Sequence, residues 1–204
     1  MAKIQNVDYE AIPGQAEQMR TEGQALNREL TNAYQNITGM HSDWYGKRYN
    51  ELVKIFNNLI PNLNEMLELV VGDFPYALET VANNYSQADR GTNATSANKT
   101  EPSKITEIGI TEDVGMRFIT ASVETTKNNV TTNFNNAVTR MNSIESVYNQ
   151  IEWESEASEA FKAKFTRLKS EIVEAFDDIN TKFGELMTQA LDDIQSAETA
   201  NTVE

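Results

Sequence analysis

The sequence predicts an all-α protein in which two helical hairpins pack as one antiparallel four-helix bundle. Composition is the first of three reasons. Among 204 residues only 9 are glycine and 4 are proline, and 39% are hydrophobic; long helices tolerate few of either breaker in their interiors. Apolar positions also recur in alternating steps of three and four, the seam of a packed helix. Finally, the second half repeats the first. The series Leu52, Phe56, Leu59, Leu63, Met66, Val70, Phe74, Leu78, Val81 and Tyr85 returns 109 residues later as Phe161, Phe165, Leu168, Ile172, Ala175, Ile179, Phe183, Met187, Ala190 and Ile194, with no gap. Unrelated helices do not hold register over that length, so duplication is the natural cause. Either half alone is too thin to bury its stripe, which predicts one shared core.

The elements follow in order. Helix one is expected to begin near Asp8, an N-cap residue, with Pro13 and Gly14 weakening its first turns. Its seam runs Ile12, Ala16, Met19, Gly23, Leu26, Leu30, Ala33, Ile37 and Met40, and Gly39 stops it. Ser42 or Asp43 is expected to cap helix two, which carries the first series above. Pro61 and Pro75 fall inside it. Each removes a donor and crowds the preceding turn, but the phase survives on both sides, so kinks are expected rather than ends. The second half has Ser170 and Gly184 at these two places. Residues 91–110 are small, polar and aperiodic, the composition of a linker. Helix three is expected from near Thr111, with Glu112 and Asp113 at the positive end of its dipole. Its seam is clean from Val130 through Phe134, Ala137, Met141, Ile144, Tyr148 and Ile151, while Thr120 and Lys127 interrupt it upstream. Helix four is expected from about Trp153 to about Ala197. The units are thus a first hairpin (1–90), a linker (91–110) and a second hairpin (111–204). A helix from Trp44 to Tyr85 spans about 60 Å, and twenty extended residues reach at most roughly 66 Å. The linker is long enough to return the chain along the hairpin, which predicts antiparallel hairpins, either within one chain (a monomeric bundle) or exchanged between two (a swapped homodimer).

Charge and cysteine usage narrow the function. The net charge is −14, which repels phosphate backbones and anionic headgroups and argues against nucleic-acid binding. With no cysteine, thiol catalysis, disulfides and cysteine–zinc sites are excluded. The opening residues lack the apolar core of a secretory signal, and nothing approaches a membrane-spanning run. The single histidine, His41, falls in a turn, whereas a di-iron bundle needs inward Glu-x-x-His pairs. No glycine-rich phosphate loop occurs, and no carboxylate pair falls on an apolar face. The chain is read as a non-enzyme without a cofactor or metal.

Two motifs remain. One is Trp44-Tyr45-Gly46 in the turn between helices one and two; the other is Tyr85-Ser86-Gln87-Ala88-Asp89 where helix two ends. A helical hairpin with these two elements at this separation resembles the WXG family of small Esx-type proteins exported by type VII secretion. Members of that family pair as antiparallel dimers, so the resemblance implies a fused Esx-like dimer, secreted without a cleavable signal peptide after a cytoplasmic stage. It implies recognition by the secretion ATPase and its machinery, and pairing with another WXG protein or a toxin. The second half departs from the pattern: Ser155 replaces glycine after Trp153, and Ile194 replaces the tyrosine, although Glu198 keeps the acid. This implies one working signal, at Tyr85 and Asp89 beside Trp153, and one degenerate signal at Ile194 and Glu198 beside Trp44 and Gly46, where Lys47 and Arg48 add local positive charge. An alternative with the same motifs is a cytosolic chaperone or adaptor pairing with the helical targeting domain of a larger toxin. Plainer roles fit the same residues: the tryptophans as core plugs, Gly46 as a point of close approach, Tyr85 as the end of the seam. The acidic cluster Glu152, Glu154, Glu156 and Glu159 fits a favourable helix start.

Overall fold

Two antiparallel helix pairs define the architecture, seen in a computed structural model of the chain that describes residues 7–110, 112 and 114–201. In chain order the elements are α1 (Ile12–Gly39), a 3-10 turn (Met40–Ser42), β1 (Trp44–Tyr45), α2 (Lys47–Leu67), a π turn (Glu68–Asp73), α3 (Phe74–Arg90), β2 (Arg117–Phe118), α4 (Thr120–Asn149) and α5 (Glu156–Ala200). Helix α1 runs against α4: Gln15 reaches the Gln150 carbonyl, Glu22 pairs with Arg140 at 3.2 Å, and Asn36 meets Asn133. Helix α2 runs against α5 in the same sense, through Arg48–Asp193 at 2.9 Å, Asn62–Glu171 at 3.2 Å and Glu65–Lys164 at 3.0 Å. Asn62 and Glu171 are repeat mates 109 residues apart, so their contact lies near the axis relating the two hairpins. The shared core is built largely of aromatic and aliphatic side chains, including Phe134 stacked on Phe176 at 4.0 Å and Phe74 on Phe161 at 4.8 Å.

Short arms lock the halves together. The segment before α4 pairs with the turn of the first hairpin, Trp44 opposite Phe118 and Tyr45 opposite Arg117. The segment before α1 pairs with the turn of the second, Val7 opposite Trp153. This exchange corrects several expected boundaries. Of the expected start of helix three, Thr111 and Asp113 lie outside the described residues, while Glu112 and residues 114–119 are not helical. The backbone just before α4 is committed to β1 and to Asp43, whose carbonyl accepts from the Ile119 N–H at 2.9 Å and whose carboxylate accepts from Ser122 Oγ. Asp43 therefore ties down the start of α4 instead of capping helix two, and Ser42 turns back to the Gly39 carbonyl. Helix α5 begins at Glu156, after Ser155 accepts from the Ser158 N–H as N-cap. At the chain's other end, Asp8 closes the turn ahead of α1 by accepting from the N–H groups of Glu10 and Ala11.

Neither proline ends the helical run, and a π turn that the sequence did not announce lies between them. Pro61 is accommodated inside α2. Pro75 stands directly after the π turn, where the Phe74 N–H reaches back five residues to the Leu69 carbonyl. A π turn inserts one residue into a helical ridge, and the buried set after it is Phe74, Leu78, Ala82 and Ser86 rather than the Val81 and Tyr85 of the sequence stripe. Gly23 of α1 lies against this turn, where a Cβ would meet Val71 at 2.9 Å.

Residues 91–110 form a strap rather than a loose tether. It lies on the first hairpin, and two asparagines fix its register. Asn64 accepts from the Ile105 N–H at 2.9 Å and donates to its carbonyl at 2.8 Å; Asn57 does the same to Ile108, both at 2.9 Å. Seven helical residues and three extended ones each advance about 10 Å, so the two clamps match. Ile105 and Ile108 are buried beneath them.

Candidate functional site

The expected recognition residues gather at one end of the bundle, where α3 stops at Gly91 with φ +70°. Tyr85 is exposed at 36%, and the adjacent Ser86, at 3%, occupies the seam in its place. Asp89, one turn further on, accepts a hydrogen bond from the Tyr9 hydroxyl. Arg90 lies over the Tyr9 ring, 5.1 Å from its centre, and pairs with Glu10 at 2.5 Å. Two residues before Tyr9, Val7 pairs with Trp153. The first arm thus links Asp89 to Trp153, and Tyr85 stands on the same helix end. Hydrogen bonding to Asp89, then desolvation, pushes the Tyr9 phenol above its ordinary pKa, because its neutral form is the donor. The Arg90 guanidinium is raised by its bond to Glu10.

Trp153 is largely covered, at 8% exposure, so its indole is mainly a plug. Around it, Glu152, Glu154, Glu156 and Glu159 with Ile151 and Lys162 line an open cleft of about 780 Å³. The acids stand at the positive end of the α5 dipole, which stabilises them there. The exposed Tyr85 at the end of α3 and the acid-lined cleft at the start of α5 thus lie at the same end of the bundle.

The opposite end is more closed. Trp44 is 1% exposed, stacked on Phe183 at 5.8 Å and edge-on to Phe118 at 5.3 Å. Gly46 caps α2 with φ +109° and ψ −165°, a backbone region essentially restricted to glycine. Its mate Ser155 has φ −155° and caps by its hydroxyl; the two copies solve the same turn differently. Ile194 is half-buried and joins Trp44 around a void of only about 30 Å³, while Glu198 is exposed. The positive charge expected here is mostly spent: Arg48 bonds Asp193 and Glu51, holding the Asp193 carboxyl below its ordinary pKa, and Lys47 remains exposed.

Tyr9 and Arg90 went unread in the sequence. One signal was present: Tyr9 and Phe118 are spaced as the tryptophans are, and each lies on an arm that crosses to the other hairpin's turn. Among the described residues no group of three or more histidine or acidic side chains is placed to hold a metal ion, and no helix is long and apolar enough to cross a membrane.

Fold and arms together define an all-α four-helix bundle of two interlocked hairpins. In comparisons with known proteins, the chain matches no family model, no curated protein and no solved structure.

Proposed function

We propose that this protein is a tandem Esx-like substrate or co-secreted partner of a type VII secretion system, acting through protein–protein contact and without catalysis. The observation that carries the reading is Tyr85. A seam-closing tyrosine would be buried, but here Ser86 is buried in the seam and Tyr85 is 36% exposed, one turn before Asp89 on α3. An aromatic anchor in a polar rim is the usual form of a binding hot spot. The fused antiparallel hairpins agree with the same resemblance. Export would carry the folded bundle from the cytoplasm to the medium or cell surface, with the Tyr85 end read by the secretion ATPase. The test is Tyr85→Ala in the full chain, with cell and medium fractions compared in the presence and absence of that ATPase. Loss of the protein from the medium, with normal folded protein inside, is the expected result; unchanged export of Tyr85→Ala removes the assignment.

A second reading, a chaperone or adaptor that stays in the cell and binds the helical targeting domain of a toxin, is favoured by one observation. Ile110, Val114, Met116, Ile119 and Leu191 are exposed at the Trp44 end, apolar surface of the kind a helical partner covers. Retention in the cell together with co-purification of one such toxin would select it.

A further inference from the structure

Helix α3 has two alternative buried faces, one residue apart. An unbroken α-helix continuing α2 would bury Phe74, Leu78, Val81 and Tyr85, the phase repeated in the second half. The structure buries Phe74, Leu78, Ala82 and Ser86, with Pro75 and Glu79 beside them. The π turn supplies the difference, since it adds one residue to the ridge. Taking that residue out would rotate α3 by about 100° and move it along its axis by about 1.5 Å. Tyr85 would then occupy the place of Ser86, Val81 that of Ala82, and Leu78 that of Glu79.

The same shift would put Phe74 in the place of Pro75, and Asp73 and Ala77 in those of Phe74 and Leu78. The apolar gain of the unused register is therefore that of Val81 and Tyr85 over Ala82 and Ser86, with Leu78 buried in both. The contacts that favour the observed register come largely from the strap and α1. Lys99 Nζ bonds Glu68 at 2.7 Å and Asp73 at 2.8 Å, the first and last residues of the π turn. The Thr100 carbonyl crosses Gly72 so closely that a Cβ there would lie 2.9 Å from it. Glu79 is held by Arg20 at 2.9 Å and by the Asn98 N–H at 3.2 Å, and Asn83 accepts from the Thr95 N–H at 2.9 Å. All of these partners would lose their alignment if α3 turned. Pro75 adds to the same side, since in an unbroken helix its ring meets the carbonyl four residues back.

We infer that the strap and the π turn form a two-position register switch. With residues 95–108 docked, α3 keeps the π register and presents Tyr85 outward; with the strap lifted, α3 takes the α register and withdraws Tyr85 into the seam. The switch's importance for recognition rests on the reading of Tyr85 given above, whereas the change of register does not.

The chain has no cysteine, so single thiols can report it. Tyr85→Cys and Ser86→Cys are made separately in the full chain, each with and without Lys99→Ala, and again with Asn57→Ala and Asn64→Ala added to release the strap. Maleimide labelling rates are measured under conditions where circular dichroism shows a folded helical protein, and hydrogen exchange reports whether the Ile105 and Ile108 amides have opened. With the strap docked, the Tyr85→Cys protein should label at least tenfold faster than the Ser86→Cys protein. With the strap released, the order should invert. A ratio that stays within twofold overturns the switch, whether or not the strap amides have opened. Rates that converge on that of a free thiol also overturn it, because they report melting of α3 rather than rotation. Labelling is blind to export, so its failure and a failure of the secretion reading are separate results.

Discussion

Replacing Gly46 by alanine tests whether the turn glycine is demanded by the backbone. Its φ of +109° with ψ of −165° lies where a side chain costs about 1–3 kcal/mol. Space is not the obstacle, because the nearest neighbour of an added Cβ, the Gly115 carbonyl, would be 3.4 Å away. The loss should therefore be nearly all conformational. For a chain of this size each kcal/mol moves the thermal midpoint by roughly 2–4 °C, so a mid-range cost of about 2 kcal/mol gives a fall of about 4–8 °C. Calorimetry of the full chain reads this directly. Serine at position 46 should cost about as much as alanine, because the extended backbone that lets Ser155 cap α5 is absent there. The reciprocal Ser155→Gly should cost only about a few tenths of a kcal/mol, since glycine is a tolerated N-cap. A Gly46→Ala protein that melts within about 1 °C of the parent would refute the argument and return Gly46 to a role in partner contact.

Three more outcomes follow from contacts described above. Asn64→Ala removes both bonds to Ile105 and leaves part-buried backbone groups unpaired; the expected cost is about 1–3 kcal/mol, with the Ile105 amide losing its hydrogen-exchange protection, and retained protection would show that the clamp is dispensable. Tyr9 has a folded pKa above its ordinary 10.0 because Asp89 holds the neutral phenol, so its contribution is whole below the unfolded pKa and is lost as pH rises through the folded one. In Asp89→Ala the Tyr9 phenol, isolated by ultraviolet difference against Tyr9→Phe, should titrate lower; an unmoved curve means the bond does not persist in solution. Asp193, Glu65 and Glu145 are depressed below their ordinary 3.8 and 4.5 by bonds to Arg48, Lys164 and Lys169. Their stabilisation is complete above about pH 4.5 and disappears as pH falls through the lowered folded values; urea unfolding across that range should show the loss, and Arg48→Gln should remove only the part owed to Asp193.

The helices that pack along their whole length were legible in the sequence. The seam of α1 is buried as read, from Ile12 through Ala16, Met19, Leu26 and Leu30 to Ile37, and α5 buries Phe165, Leu168, Ile172, Ile179 and Phe183 from the repeated series. The phase fails where backbone geometry, not side-chain type, decides. Val81 and Tyr85 yield to Ala82 and Ser86, because one extra residue in a π turn leaves no mark on apolar spacing. In the unbroken α5 side-chain size decides instead: Phe176 is buried beside the half-buried Ala175, its ring stacked on Phe134. The strap has the composition of a linker because its ordering comes from Asn57 and Asn64 gripping its main chain, and main-chain recognition makes no demand on composition. The gathering of Tyr85, Asp89 and Trp153 at one end follows from antiparallel hairpins. Their connection through Tyr9 does not, since it needs an arm that crosses between hairpins.

The strap's hydrogen bonds and ion pairs described above run to the first hairpin, through Arg20, Asn57, Asn64, Glu79, Asn83 and the Lys99 bridge. The covalent junction near residue 114 therefore carries little of the load between the halves. It acts by holding two complementary pieces at high local concentration. A single cut there should leave a molecule that keeps its shape and separates only on dilution or denaturation, so that one gene or two could encode the same assembly.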